Sequence, residues 1–202
     1  MNRVIRILEL GENRLSAIAE GCPITTDDII AATRLWLERS VIGLNLCPFA
    51  ESVYRADLVR FRVSEQRSAS ALLDDLRSEL RELQAADPLR SETTLLIHPW
   101  VLTDFIEYND FLEVCEATIV DLGLEGELQV ASFHPQYQFA GTQSEDIENY
   151  TNRSPYPMLH LLREASIERA VAAVPDTAEI YRRNIRTLRD LGHAGWRRLW
   201  RG

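Results

Sequence analysis

The sequence predicts an α/β fold: a small, three-stranded, mainly parallel β-α-β-α-β sheet of order 1-2-3, covered by N- and C-terminal helices. Two observations carry this. Segments of strand character alternate with segments of helical period through the centre of the chain. The most apolar strand, 94–97, reads as buried on both faces, which places it in the middle of the sheet. A third observation sets the scale. The chain has 202 residues, 46% of them hydrophobic, with no internal repeat, low-complexity stretch or interdomain linker, so one domain over 1–202 is expected.

Residues 1–22 show no clean period and are expected to be loosely ordered. Thr25-Thr26-Asp27-Asp28 is a helix start, a capping side chain followed by acids. Ile29, Ile30, Thr33, Trp36, Leu37 and Leu44 continue at helical spacing until Pro48 stops the run. From Leu58 to Val63 the pattern alternates, with Val59, Phe61 and Val63 on one face and Arg60 and Arg62 on a solvated one. Leu72, Leu73, Leu76, Leu80 and Leu83 mark an amphipathic helix ended by Asp87-Pro88.

Thr94–Ile97 is the buried strand, closed by His98-Pro99. Asp104 with Glu107 caps a helix whose stripe is Tyr108, Phe111, Leu112, Cys115, Ile119 and Leu122, and Gly123 ends it. Leu128–Phe133 is the third strand, closed by His134-Pro135. A polar stretch, 136–153, follows, with a turn at Gly141 that requires positive φ. Ser154 and Pro155 read as the start of a helix carrying Met158, Leu159, Leu162 and Ile167. Pro175-Asp176-Thr177 opens the last helix, which Gly192 ends.

Composition removes several function classes. Net charge is −9, against nucleic acid as a general partner, although the stretch from Arg163 onward is locally basic, with nine arginines against five acids. All 22 basic residues are arginine, so there is no Schiff-base lysine and no phosphate-loop lysine. No apolar run is long enough for a membrane helix, and no signal-peptide pattern opens the chain, so a cytoplasmic protein is expected. Cys22, Cys47 and Cys115 are too scattered for a disulfide framework and form no CxxC metal pair.

Ligands of open parallel sheets bind beyond the carboxyl ends of the strands. Two strands end in the same dipeptide, His-Pro, so neighbouring strands would put His98 and His134 on one rim as an acid/base pair. Arg153 is the anion clamp of this reading, beside Ser154, with Tyr137 and Cys47 lining the pocket and His160 facing the same end. The competing reading gives the histidines and Arg153 loop-tying hydrogen bonds to backbone carbonyls, and makes Cys47 a small buried apolar residue. A metal site on His98 and His134, with His160, Cys47 or an acid as third ligand, ranks lower, because no HExxH or CxxC supports it. No cofactor is indicated.

Three blocks, Gly43–Ala50, Phe133–Gly141 and Asn152–Pro157, resemble the signatures of a bacterial family known only as a domain of unknown function, numbered fourteen-fifteen. The resemblance spans about 27–192. It implies kinship and that the three blocks matter together, and it brings no activity, cofactor or catalytic residue. The function expected is an enzyme acting on a small anionic metabolite, with a non-catalytic binding or assembly protein, or a histidine-based metal-binding protein, as alternatives.

Overall fold

The computed structural model describes residues 24–172 and 177–200. The expected loose order of 1–22, Cys22, and Pro175-Asp176 lie outside them. In chain order the elements are α1 (Thr26–Trp36), continuing as a π-helical turn Leu37–Ile42, α2 (Ala50–Arg55), β1 (Val59–Val63), α3 (Ala69–Ala85) and β2 (Thr93–Ile97). Then come α4 (Phe105–Asp121), β3 (Leu128–Phe133), a 3-10 turn Ile147–Thr151, β4 (Met158–Arg163), α5 (Glu164–Ala172) and α6 (Thr177–Arg198). Among the described residues no helix is long and apolar enough to cross a membrane.

The chain divides into two compact units. One spans Phe49–His134 and Tyr156–Thr177 and holds the whole sheet; the other takes Met1–Pro48, Pro135–Pro155 and Ala178–Gly202.

In the sheet unit the strand order is β1-β2-β4-β3, four strands instead of the expected three in order 1-2-3. β1 and β2 are parallel, and β4 runs antiparallel to both β2 and β3. The expected helix from Ser154 is therefore a strand at 158–163 followed by a helix at 164–172. Pro155 and Pro157 explain the difference. Each proline disfavours the helical region for the residue before it, which works against a helix through Ser154 and Tyr156. Met158-Leu159-His160-Leu161-Leu162 is then a short apolar run, a pattern that suits a buried strand as well as a helix. Between β2 and β3 it is largely buried, whereas a helix there would leave β3 unpaired and one edge of β2 open.

One face of the sheet carries α3 and α4. Leu72, Leu76, Leu80 and Leu83 of α3 and Tyr108, Phe111, Cys115 and Ile119 of α4 pack with Leu96, Leu159 and Leu161 of the sheet. Arg60 and Arg62 alternate with the apolar residues of β1 as expected, but they are not simply solvated. Both reach Glu79 of α3, a carboxylate only 6% exposed, Arg60 at 2.9 Å and Arg62 at 3.3 Å. The pair ties an edge strand to its helix.

In the other unit, α1 begins with the expected cap: Thr25 Oγ1 accepts from Asp28 N at 3.2 Å while Asp28 accepts from Thr25 N at 3.0 Å. The segment labelled α6 bends at Gly192, whose φ of 59° breaks the helical path there, and then continues to Arg198. Arg189 pairs with Glu148 at 2.8 Å, and Arg183 donates to the Asn45 carbonyl at 2.7 Å. These basic side chains are spent on contacts within the unit.

Candidate functional site

Register fixes the geometry of the strand ends. Val63, Ile97, Met158 and Phe133 form one row across the sheet, so Ser64, His98, Pro157 and His134 are the residues just beyond it. The row stays paired: Ser64 N donates to Ile97 O at 2.8 Å and His98 N to Pro157 O at 3.0 Å. His98 and His134 do share a rim, as the repeated His-Pro suggested, but they are not neighbours. β4 separates them, which at about 4.8 Å per strand puts the two chains about 10 Å apart.

Side chains alternate between faces along a strand. His98 lies two residues beyond Leu96, and His134 two beyond Ser132, and both of those rows face α3 and α4. Both imidazoles therefore point to the helical face, and both reach the same ring. Tyr108 of α4 lies 5.8 Å from His98 and 5.0 Å from His134, centroid to centroid. Its hydroxyl donates to Met158 O at 2.9 Å and accepts from Phe133 N at 3.1 Å, so it clamps the last row of the sheet. Phe105 packs on His134 at 5.4 Å.

The two imidazoles hold the loop 99–104. His98 Nδ1 donates to Val101 O at 2.9 Å, and His134 Nε2 lies 3.3 Å from Leu102 O. Between them, Leu102 sits at a φ of 54°. A bulky residue in the left-handed region is strained, at about 1–3 kcal/mol, and persists only where its surroundings enforce it.

His98 differs from the other residues of the site in one respect. It is fully buried, its Nδ1 proton is committed, and its Nε2 has no hydrogen-bond partner among the described residues. Burial lowers its pKa to about 4, against a smaller opposing effect of the Val101 carbonyl, so the ring is neutral at pH 7. A neutral imidazole with Nδ1–H fixed presents a lone pair at Nε2.

His160 does not join this group. It is one residue past Leu159 and so projects from the opposite face, where its Nε2 meets Thr93 Oγ1 at 2.8 Å and its ring lies 6.0 Å from Phe133. Burial likewise lowers its pKa to about 4. The expectation that it faces the same end came from counting it on a helix. Among the described residues no three His, Cys, Asp or Glu side chains converge as a metal shell would. Cys115 is core, and burial pushes its thiol pKa up to about 12.

Arg153, Tyr137, Ser154 and Cys47 belong to the other unit. Arg153 Nε donates to Tyr137 O at 3.2 Å, its Nη2 to Ser144 O, and its guanidinium lies 4.4 Å over the Tyr150 ring. Its own carbonyl accepts from Trp36 Nε1 at 2.8 Å. The loop 136–153 is further knit by buried Asn149. Its Oδ1 accepts from Phe139 N at 3.0 Å and Thr142 Oγ1 at 2.8 Å, and its Nδ2 donates to Gln143 O at 2.7 Å. Gly141 has the expected positive φ, 82°. Tyr137 packs edge-on against Phe139 at 5.0 Å, Ser154 is buried, and Cys47 is a partly exposed free thiol.

Three groups of the strand-end rim escaped sequence reasoning. The helical period marks Tyr108 only as core, and Ser64 and Arg67 carry no motif. Ser64 is fully buried and its Oγ donates to Asp75 of α3 at 2.7 Å. Arg67 lies 5.4 Å over the Trp100 ring. A shallow cavity of about 270 Å³ lies at the opposite end of the sheet, among Gln84, Glu127, Arg163, Ser166 and Arg169. Its polar groups serve the fold: Arg163 donates to the carbonyls of Leu83, Ala86 and Ser91 at the end of α3, and Arg169 pairs with Glu92.

Neither curated proteins nor solved structures gave a significant match to the chain. One protein family does match, over residues 28–198, and its description is a protein of unknown function. The chain belongs to that family, DUF1415.

Proposed function

We propose that the protein is an enzyme acting on a small anionic metabolite, with His98 as its acid/base group. The observation that supports this is the buried, neutral imidazole whose Nε2 lone pair lacks a partner while Nδ1–H is fixed by Val101 O. Leaving a buried polar atom unsatisfied costs about 1–3 kcal/mol, so such an atom calls for an explanation. A general base held in one tautomer by a backbone carbonyl is one. The low pKa supports the anionic class. A basicity near 4 is too weak for proton transfer at neutral pH, and a negative charge beside the ring raises it by favouring the imidazolium. Tyr108 and His134 position the ring and the loop above it. Access requires the segment 99–104 to move, and the strain at Leu102 lowers the cost of that movement.

A thermal-shift screen of the full chain against anionic metabolites tests this, because a ligand bound only by the native state raises its melting point. Hits are then followed for chemical conversion by NMR. The expected result is a hit that wild type converts and His98→Asn binds without converting. Conversion by His98→Asn at the wild-type rate overturns the reading.

The alternative is a non-catalytic binding or assembly protein, and a specific observation favours it for the second unit. Arg153, the clamp the sequence suggested, is bound to two backbone carbonyls and a tyrosine ring. A hit that raises the melting point and is never converted supports that alternative.

A further inference from the structure

We propose that Arg67, laid over Trp100, is the anion-recognising group of the His98 site; this rests on the acid/base reading of His98. Ser64 stands beside His98 in the row beyond the last registered residues, on the neighbouring parallel strand. Three residues after Ser64 comes Arg67, and two after His98 comes Trp100. The contact of guanidinium and indole at 5.4 Å joins the two strand tails that leave the sheet at Ser64 and His98.

Among the described residues of this unit Arg67, Arg81 and Arg90 pair with no carboxylate, and of the three it is Arg67 that lies over an aromatic ring. Arg60 and Arg62 are paired with Glu79, Arg169 with Glu92, and Arg163 with the end of α3. Arg67 is exposed and has no carboxylate partner among the described residues. Stacked on an aromatic face, a guanidinium keeps its edge N–H groups available for a bidentate carboxylate or phosphate. Its surroundings favour an anion. Ser68, the next residue, is the N-cap of α3, whose first turn carries no acid, so the positive end of that helix is uncompensated by its own side chains. Asp75 faces this rim too, but its carboxylate is engaged by Ser64 Oγ at 2.7 Å and Gln66 Nε2 at 3.5 Å.

The ligand class follows. A carboxylate or phosphate monoester sits on Arg67, and the same small molecule offers a hydrogen-bond donor, a hydroxyl or other acidic proton, to His98 Nε2.

Titration of the full chain with inorganic phosphate and, separately, acetate, read in 1H–15N spectra at the Trp100 indole, tests the assignment. At least one anion should give a saturable shift, weakened tenfold or more in Arg67→Gln and unchanged in Arg153→Gln. No saturable shift with either anion, undiminished binding in Arg67→Gln, or loss in Arg153→Gln instead overturns it. The two readings fail separately. If Arg67→Gln loses the anion while His98→Asn still converts substrate at the wild-type rate, Arg67 stands and His98 falls; if Arg67→Gln binds normally and His98→Asn is inert, the reverse holds.

Discussion

The strand-end rim and the loop 136–153 were equally polar in sequence, and the structure treats them differently. In the loop, the main polar side chains are tied down: Arg153 holds two carbonyls, and Asn149 makes three hydrogen bonds to its neighbours. At the rim, the same kind of accounting closes for His134 and for Nδ1 of His98 and then stops at Nε2. The comparison teaches that polarity marks where a chain must be tied down, and that only the group left over after tying points to chemistry.

Three experiments break or sharpen that contrast. The largest effect is expected for Tyr108→Ala, which removes a fully buried ring together with its two hydrogen bonds across the last row of the sheet. A loss of about 3–5 kcal/mol in urea unfolding is expected, as for other large buried aromatics. A loss under 1 kcal/mol would show that the imidazoles hold the row without it.

Next comes pH. The folded pKa of His98 is depressed from 6.5 to about 4, so the unfolded chain takes up a proton first as pH falls. Stability is thus full above pH 6.5 and declines between 6.5 and 4, by about 3 kcal/mol for a fully developed shift of this size. His160 adds a similar decline. Urea midpoints measured from pH 7 to pH 4 should therefore fall about half as steeply in His98→Asn as in wild type, and equal slopes would remove His98 from the acid response.

The smallest effect is expected for Arg153→Ala, about 1–2 kcal/mol, with faster proteolysis within 136–153, because its loss frees two carbonyls that water can partly satisfy. The spectrum of the rim residues should stay unchanged.

Much of the sheet unit was legible because its elements are local: the alternation of β1, the leucine stripe of α3, the apolar run of β2 and the capping pair of α4 each repeat within a few residues. The shared rim of His98 and His134 followed from the same pattern. β4 was not legible, since its apolar run fits either period and the two prolines before it are also helix-start signals. That one misreading put His160 on the wrong face and made His98 and His134 adjacent. Ser64–Asp75, Arg67 over Trp100 and Tyr108 between the imidazoles join residues from different elements, and such contacts leave no local period. The three sequence blocks each contain a crossing of the chain between its two units, at Pro48–Phe49, His134–Pro135 and Pro155–Tyr156. A proline at each of these three crossings fixes the chain direction there.

The late arrival of β4 has a consequence for biogenesis. Until residue 163 has left the ribosome, β2 and β3 each expose an edge meant for the strand between them, and exposed edges of this kind recruit strands from other chains. Nascent or C-terminally truncated chains ending before Met158 should consequently depend on chaperones, whereas the finished protein closes its own gap.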